Sequence, residues 1–491
     1  MLLYKIIDNV VLLEFLAQKI AGTTTNATIS CYKETDMTFK QVLKKSEEYI
    51  SQLSDLAFKC DQIQAELYDQ YKVFRGLRDK NGVGVVTGLT EISEMNGFAT
   101  NEKGERAPIE GEMFYRGINI YDLVKGFNGK RYGYEECAYL LLCGSLPTQK
   151  QLEDFTKLLS MYRKLPESFV RDIILKAPSK DMMNALARSV LTLYSYDSNP
   201  DDISIKNVFR QSIQLIALMP MLAVYSYQAY NHYHLGKNLY IRYPKDNLST
   251  AENILYLLKG SKGFTQEEAR MLDMCMVLQA EHGGGNNSTF TTHVVTSSGT
   301  DTYSCVAASL ASLKGPRHGG ANLKVIQMLD DIMKNADDIT EEGISNYLRK
   351  ILNKEAFDGS GLIYGLGHAV YSISDPRANI LHEYIDNYMS KRYHNKFHQL
   401  YTRLQKIAPK IISENRVMYK GVSVNIDFYT GYVYRLLEIP EVLFTPIFAV
   451  SRIVGWSAHR LEELSNKGKI IRPAYIAVSP RREYVDLEDR D

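Results

Sequence analysis

The sequence predicts a mostly α-helical fold, and three features carry that prediction. Apolar residues recur at helical spacing over most of the chain after Gly111. The segment Thr265–Glu268 reads Thr-Gln-Glu-Glu, a capping box in which the Thr hydroxyl and the last Glu carboxylate can satisfy free amide donors. No segment alternates strands with helices in the way that builds a parallel sheet.

The elements follow in order along the chain. Residues 1–70 alternate apolar and polar stretches, which predicts two or three amphipathic helices. From Arg75 the run RGLRDKNGVGVVTGLTEISEMNG places glycine among valine and threonine, which predicts short strands and turns. Helices are then predicted for GYEECAYLLLC (stopped by Gly144 and Pro147), SFVRDIILK, DMMNALARSVLTLYS and VFRQSIQLIALMPMLAVYSYQAY.

Length and charge restrict the class of protein. The 491 residues exceed the roughly 250–300 at which one core stops growing, so more than one domain is expected. The 58 basic and 57 acidic side chains give a formal net charge of +1, so a broad basic field for nucleic acid is excluded.

The cysteines and apolar runs predict a cytoplasmic protein with no membrane partner. Six cysteines occur without a C-x-x-C pair, as expected of free thiols in a reducing compartment. Asp8 and Glu14 interrupt the apolar N-terminus, and no small-residue cleavage site follows it. No later run reaches the roughly 18 apolar residues that span a bilayer.

Three histidines stand in glycine-rich contexts: His282 in EHGGGNNST, His318 in GPRHGGAN and His368 in LIYGLGHAVY. Glycine allows the backbone to approach a ligand closely. His318 precedes a helical pattern, so a helix dipole is expected to lower its pKa and keep a neutral ring available as a hydrogen-bond donor. Each histidine alone could be a structural residue, whereas three together favour a reactive site.

The other histidines predict no metal site. His394 and His398 have i,i+4 spacing but lack the Glu that a metalloprotease helix carries after its first histidine. His293, His382 and His459 have no chemical context in the sequence. A nucleotide-binding loop is not predicted either. The Walker motif is ruled out because GGGNNST lacks its Gly-Lys-Ser/Thr, and the Rossmann fingerprint is ruled out because GLGHAV lacks its third glycine.

Candidate anion-binding residues lie in the last third of the chain. Arg377 in SDPRAN, Arg452 in FAVSRIVGW and Arg472 in IIRPAY can each grip a carboxylate through a planar fork, although a lone arginine is more often a surface residue. Asp427 in VNIDFYTGY begins an apolar helix, where its carboxylate is either an N-cap or a positioned base.

These motifs together resemble the citrate synthase family. In order, the chain carries H-x-x-x-N-x-S, P-x-H-G-x-A-N, G-H-A-V followed by D-P-R, N-x-D-x-x-x-G, S-R and R-P. The resemblance runs from Arg75 to the C-terminus and does not cover residues 1–70. Glu281 stands where many members have Asp, and Gly283 stands where acidic residues are common.

The resemblance implies an almost entirely helical fold with an active site in a cleft between two domains. The large helical domain would comprise residues 71–319 and 439–491. The smaller inserted helical domain would comprise about 320–438, and residues 1–70 would form an N-terminal helical extension. Members work as homodimers or assemblies of dimers, with one oxaloacetate-binding arginine donated by the neighbouring subunit. By position that arginine would be Arg472.

The resemblance also implies roles for individual residues. Four residues would hold oxaloacetate: His282, Arg377, Arg452 and Arg472. His318 would hydrogen-bond the thioester carbonyl of acetyl-CoA while Asp427 removes a methyl proton. The enol would attack oxaloacetate, whose ketone oxygen His368 protonates. The turn that contains Leu362, Gly365 and Gly367 would hold part of the CoA through its main chain.

The implied activity is condensation of acetyl-CoA with oxaloacetate and water to citrate and CoA, with acetyl-CoA as co-substrate and no resident cofactor. A 2-methylcitrate synthase that uses propionyl-CoA is a close alternative, because one methylene changes selectivity by only about 1–3 kcal/mol. A lyase module that runs the reaction backwards would need further domains. A non-catalytic helical scaffold is the alternative from another class.

Overall fold

The structure is a computed structural model that describes residues 39–79, 82–100, 106–127, 129–367, 370–389, 396–415 and 422–490. The chain separates into two compact units, Met1–Lys80 and Asn81–Asp491. In the described part of the first unit, helices α1 (Phe39–Cys60) and α2 (Ala65–Gln70) are followed by a 3-10 turn at Arg75–Leu77. Two or three amphipathic helices were predicted for residues 1–70, of which residues 1–38 lie outside the described part of the chain.

The second unit is mostly helical, as predicted. Its α-helices are α3 (Ile120–Phe127), α4 (Gly133–Cys143), α5 (Gln149–Tyr162), α6 (Met182–Leu193), α7 (Ile205–Leu235), α8 (Thr250–Lys259), α9 (Gln266–Gln279), α10 (Asn287–Ser297), α11 (Thr302–Lys314), α12 (Ala321–Asn335), α13 (Glu341–Leu352), α14 (Pro376–Met389), α15 (Lys396–Asn415), α16 (Ile426–Leu436) and α17 (Phe444–Ser465). Shorter helical turns lie at Val170–Leu175 (π-helical), Tyr194–Tyr196, Glu441–Leu443 and Leu487–Asp489.

Helix ends follow the local sequence. Helix α4 stops at Gly144, whose φ of 85° is the left-handed conformation that glycine adopts without strain. The predicted capping box is present at α9, where Thr265 accepts the Glu268 amide and the Glu268 side chain accepts the Thr265 amide. Both signals act within a few residues, so they are readable without knowledge of the fold.

The first residues after Gly111 are extended as far as Asn119, and the predicted helical region begins only at Ile120. Strands β1 (Ser93–Thr100), β2 (Arg106–Tyr115) and β3 (Ile118–Asn119) form one antiparallel sheet in the order β1-β2-β3. Ser93 pairs with Tyr115 and Glu94 with Phe114. Pairing with β1 is a tertiary contact that can override helical propensity, and the apolar pattern of β2 does not report it.

Helix α17 lies at the centre of the second unit. It packs against α4, α7, α9, α10 and α11, and Trp456, Arg452 and Arg460 are its largest fully buried side chains. A helix that is apolar on all sides is typical of a core position. Gly455 is required here because a Cβ would collide with the Glu281 carboxylate and the Ala280 carbonyl oxygen.

Among the described residues, α7 and the span Glu441–Ser465 are long and apolar enough to cross a membrane. In both, most of the apolar stretch (83% and 89%) is buried inside the protein, which is what core helices show. The helices α12 to α16 pack largely on one another. They remain in the same compact unit as the rest of 81–491, so the inserted domain 320–438 stays a prediction.

Candidate active site

The loop between α9 and α10 places His282 in the interior. Tyr115, at the end of β2, holds Glu281, the residue before His282. The Tyr115 hydroxyl lies 3.1 Å from the Glu281 carbonyl oxygen and accepts a hydrogen bond from the Glu281 amide at 3.2 Å. Burial raises the pKa of the Tyr115 phenol, so the hydroxyl stays protonated. The His282 ring packs edge-on against Tyr371, with 6.2 Å between ring centroids.

The Glu281 side chain fixes the same loop from the other direction. Its Oε1 accepts hydrogen bonds from Ser93 Oγ and His459 Nε2, both at 3.0 Å, and from the Gly283 amide. Burial acts to raise the pKa of Glu281, but His459 and Arg452 outweigh it and hold the pKa at about 2. The carboxylate is therefore ionised, and the loop is held by charge-assisted hydrogen bonds.

Arg452 is a cation in the middle of the central helix. Its Nε donates to the Gln279 carbonyl oxygen at 2.7 Å, and its Nη1 is buried with no hydrogen-bond partner among the described residues. Burial lowers the pKa of Arg452 to about 10, which still leaves it charged at neutral pH. A buried charged donor without a partner is costly, so this guanidinium is suited to an anionic ligand.

Arg377 lies at the start of α14 and is held by its neighbour. Its Nε and Nη2 donate to Asp375 Oδ1 and Oδ2 at 3.0 and 2.8 Å. Burial opposes the charged form, but Asp375 raises the pKa of Arg377 above its usual value. The Arg377 guanidinium carbon lies 6.0 Å from the centroid of the Tyr371 ring. Tyr371 thus contacts both His282 and Arg377.

His318 is positioned as a neutral hydrogen-bond donor. Its Nε2 lies 3.0 Å from Ser288 Oγ and 3.4 Å from the Ser288 amide nitrogen. Because an amide N–H can only donate, Nε2 is assigned as an acceptor, which puts the ring proton on Nδ1. Trp456 Nε1 donates to the same hydroxyl at 3.1 Å and fixes Ser288.

The pKa of His318 is lowered to about 4. Burial is the main cause and the charge of Arg452 adds to it. The direction agrees with the sequence prediction, but the leading cause differs from the helix dipole proposed there. Helix α12 begins only at Ala321, after the N-cap Gly320, so His318 lies outside the first turn, where the dipole is strongest.

Asp427 is not the N-cap of its helix. That position belongs to Asn425, whose side chain accepts the Asp427 amide at 3.0 Å. The Asp427 carboxylate is partly buried, and burial raises its pKa to about 6, against the opposing charges of Arg377 and Arg452. A carboxylate with a pKa near neutrality is suited to general base catalysis.

The predicted CoA turn is joined to the segment that leads into Asp427. The Gly367 amide donates to the Ser423 carbonyl oxygen at 2.7 Å, and the Asn425 amide donates to the Gly365 carbonyl oxygen at 2.9 Å. Asn425 Nδ2 donates to the Gly367 carbonyl oxygen at 2.9 Å. The turn therefore reaches the start of α16. Leu362 is 45% exposed, and His368, next after Gly367, lies outside the described residues.

Five predicted residues belong to one electrostatic neighbourhood: His282, His318, Arg377, Arg452 and Asp427. The charges of both arginines oppose the rise that burial causes in the pKa of Asp427, and the charge of Arg452 adds to the lowering that burial causes in the pKa of His318. His282 joins the group through Tyr371. Arg472 does not, because it is an exposed residue of the segment that follows α17.

Sequence reasoning assigned no role to four residues that position this group: Ser288, Asp375, Asn425 and Trp456. The first three lie inside the quoted motifs, as the Ser of H-x-x-x-N-x-S, the Asp of D-P-R and the Asn of N-x-D. That placement was a usable signal. Trp456 is the only tryptophan of the chain, and its contact with Ser288 joins residues 168 positions apart.

The family model for the citrate synthase C-terminal domain matches residues 81–474. The citrate synthase of Synechocystis is 34% identical over 389 residues, which cover 78% of this chain and 89% of that protein. The citrate synthase of Haloferax volcanii is 34% identical and covers 83% of this chain and 96% of its own length.

Solved structures give the same result. Citrate synthase from Thermotoga maritima superposes with a TM-score of 0.66 at 29% identity, covering 84% of this chain and 99% of that one. Citrate synthase from Thermoplasma acidophilum, solved in a ternary complex with carboxymethyl coenzyme A and oxaloacetate, gives a TM-score of 0.68 at 27% identity, covering 83% of this chain and 97% of that one. The chain belongs to the citrate synthase family.

Proposed function

We propose that this chain condenses acetyl-CoA with oxaloacetate and water to give citrate and CoA. One observation carries the proposal: a carboxylate with a pKa of about 6 and a neutral imidazole lie in the field of two buried arginines. The arginines suit a dicarboxylic acid, and the acid–imidazole pair suits enolisation of a thioester.

In the first step, Asp427 removes a proton from the acetyl-CoA methyl group. That proton is weakly acidic, so the enolate oxygen must be stabilised at the same time. His318 Nδ1–H donates to that oxygen, because Nε2 is occupied as an acceptor by Ser288. A neutral ring can do this without first losing a proton, as the low pKa of His318 implies.

In the second step, the enol carbon attacks the ketone carbon of oxaloacetate, and His368 protonates the ketone oxygen. Arg377, Arg452 and His282 hold the oxaloacetate carboxylates. Water then hydrolyses the citryl-CoA thioester, which releases citrate together with CoA, whose thiol is now free. These steps need no electron transfer, so side chains and the two substrates supply the chemistry.

A thiol-release assay tests the activity. Purified protein is mixed with acetyl-CoA or propionyl-CoA, with and without oxaloacetate, and free CoA is titrated. We expect release that requires oxaloacetate and is faster with acetyl-CoA. Faster release from propionyl-CoA identifies a 2-methylcitrate synthase, whereas no release from either thioester refutes the condensation and favours a non-catalytic scaffold.

We propose further that the chain works as a homodimer in which Arg472 completes the oxaloacetate site of the other subunit. The segment after α17 supports this, because it exposes large apolar side chains such as Tyr475 (94% exposed) and Tyr484 (80%). Apolar surface of this kind is typical of a segment that packs against a partner. Arg472 lies in the same exposed segment.

Co-expression of two inactive variants tests the donation. Asp427→Asn and Arg472→Ala are produced separately and together, and the hybrid is isolated with two different tags. If Arg472 acts across the interface, the hybrid regains one intact site, so its activity is about half that of the wild-type dimer. A hybrid as inactive as both parents would place Arg472 in the site of its own chain, and an Arg472→Ala protein that stays active would place it outside the site.

We also propose a reducing, cytoplasmic compartment for the protein. The described cysteines Cys60, Cys137, Cys143, Cys275 and Cys305 are all free thiols, which suits such a compartment.

A further inference from the structure

A histidine pair lies directly behind the His282 loop, outside the proposed chemistry. His293 of α10 and His459 of α17 face each other with 3.1 Å between Nε2 and Nδ1. Each ring is backed by a carboxylate on its other nitrogen. Glu463 Oε2 lies 2.8 Å from His293 Nδ1, and Glu281 Oε1 lies 3.0 Å from His459 Nε2.

The backing carboxylates determine where the ring protons lie. An ionised carboxylate can only accept hydrogen bonds, so His293 carries its proton on Nδ1 and His459 carries its proton on Nε2. Both inner nitrogens then present lone pairs to each other across 3.1 Å. Glu462 Oε2 adds a third acceptor 3.8 Å from His459 Nδ1. It is buried with no hydrogen-bond partner among the described residues.

Three acceptors that converge without a donor require a positive charge between them. Arg452 lies in the field of Glu281 and offsets its charge, so a proton shared by the two rings would offset only one of the two remaining carboxylates, Glu462 and Glu463. A divalent cation would offset two. Charge therefore favours a metal ion over a proton.

The geometry agrees with a tetrahedral transition-metal site. Zn–N bonds of about 2.0–2.1 Å place neighbouring donor atoms about 3.3 Å apart. The three inner atoms all lie within 4.8 Å of one another, with measured spacings of 3.1 and 3.8 Å. A carboxylate behind each ligating histidine is the usual arrangement that orients imidazoles toward zinc. We propose that His293, His459 and Glu462 bind one divalent transition-metal cation of the zinc class.

This site would brace the loop that carries His282. A Cβ added to Gly284 would lie 3.6 Å from His293 Nε2 and 4.0 Å from His459 Nδ1, so the loop backbone passes against the ligands. Glu281 links His459 to the Gly283 amide in the same loop. The cation therefore positions the loop and takes no part in bond making. Its binding is independent of the proposed reaction, and only the functional consequence of bracing the His282 loop rests on the proposed function.

Metal analysis of the full chain without a polyhistidine tag tests the site. The protein is stripped with a chelator, dialysed against Zn²⁺ and analysed for metal, and its thermal midpoint is measured with and without Zn²⁺. We expect one tightly held zinc per chain and a higher midpoint with zinc. Co²⁺ in place of Zn²⁺ should give the intense visible absorption of a tetrahedral site.

Variants separate this site from binding elsewhere. His293→Gln keeps a side-chain amide that can donate to His459, so the fold is retained while a ligand is lost. Zinc affinity should fall by at least about 100-fold in His293→Gln and also in Glu462→Gln, since even second-shell changes cost 10–100-fold. His232→Gln removes an exposed histidine of α7 and should leave zinc binding unchanged.

Two results would overturn the proposal. If wild-type protein holds no zinc after dialysis and its thermal midpoint does not respond, the rings share a proton and no metal site exists. If zinc binds but His293→Gln and Glu462→Gln bind it as tightly as wild type does, the metal lies elsewhere. Neither readout depends on catalytic activity, so failure of the proposed function would leave this test intact.

Discussion

Replacing Asp427 by asparagine should stabilise the folded protein while it abolishes catalysis. The pKa of Asp427 rises from 3.8 to about 6 on folding, mainly because burial disfavours the charged carboxylate. A raised pKa of this sign means that Asp427 contributes its full stability below pH 3.8 and loses it as the pH rises to about 6. Above that pH the ionised side chain destabilises the fold.

The size of the effect follows from the shift. The rise of the Asp427 pKa from 3.8 to about 6 corresponds to a free energy of about 3 kcal/mol. Asp427 is only partly buried, so solvent screening reduces the expected gain to about 1–2 kcal/mol. Asparagine has nearly the same shape as aspartate and carries no charge at any of these pH values, so it should recover that amount.

Urea unfolding of Asp427→Asn and wild type, at a pH well above 6 and again near 4, measures the difference. The variant should be more stable at the higher pH, and the difference should shrink toward zero at the lower pH. Asp337→Asn, an exposed aspartate between α12 and α13, serves as the matched control and should not change stability. An Asp427→Asn variant that is no more stable than wild type above pH 6 would refute the reasoning.

Three further predictions follow from the same site. The kcat/KM for thiol release should fall about tenfold per pH unit below about pH 6, because Asp427 must be ionised to act as a base; a flat acid limb would contradict this role. Ser288→Ala removes the hydroxyl that contacts His318 Nε2 at 3.0 Å but keeps the Ser288 amide that sets the tautomer, so kcat should fall about 10–100-fold while KM for oxaloacetate changes little; a change in KM alone would contradict this positioning role of Ser288. Gly365→Ala should lower the free energy of unfolding in urea by about 1–3 kcal/mol more than Gly367→Ala does. Both glycines have φ near 80°, but only a Cβ at Gly365 would collide with neighbouring atoms. Equal losses of stability would refute the packing argument.

Signals that act over a few residues were readable from the sequence. The Thr265–Glu268 capping box and the Gly144 stop both appear where predicted, because a cap satisfies backbone groups within one turn. The order of the six motifs also identified the family, and five predicted residues share one neighbourhood. The N-cap alternative for Asp427 needed the structure, because Asn425 two residues earlier is an equally good cap by type.

Contacts between distant segments were not readable. Helical periodicity after Gly111 does not reveal that β2 pairs with β1. Nothing near His293 or His459 indicates that α10 and α17 bring their rings together across 166 positions. The low pKa of His318 was predicted from a local helix, but it depends on burial and on Arg452. Each of these outcomes is set by packing, which a single sequence does not state.

Calorimetric titration with oxaloacetate tests the central claim most directly, namely that buried arginines bind the dicarboxylate and Asp427 performs the chemistry. Measured above pH 6, Asp427→Asn should bind oxaloacetate as tightly as wild type or more tightly, since a nearby negative charge is removed. Arg452→Gln should weaken binding by at least about 30-fold, the lower limit for truncating one partner of a buried charge pair. Loss of binding in Asp427→Asn together with unchanged binding in Arg452→Gln would contradict the account.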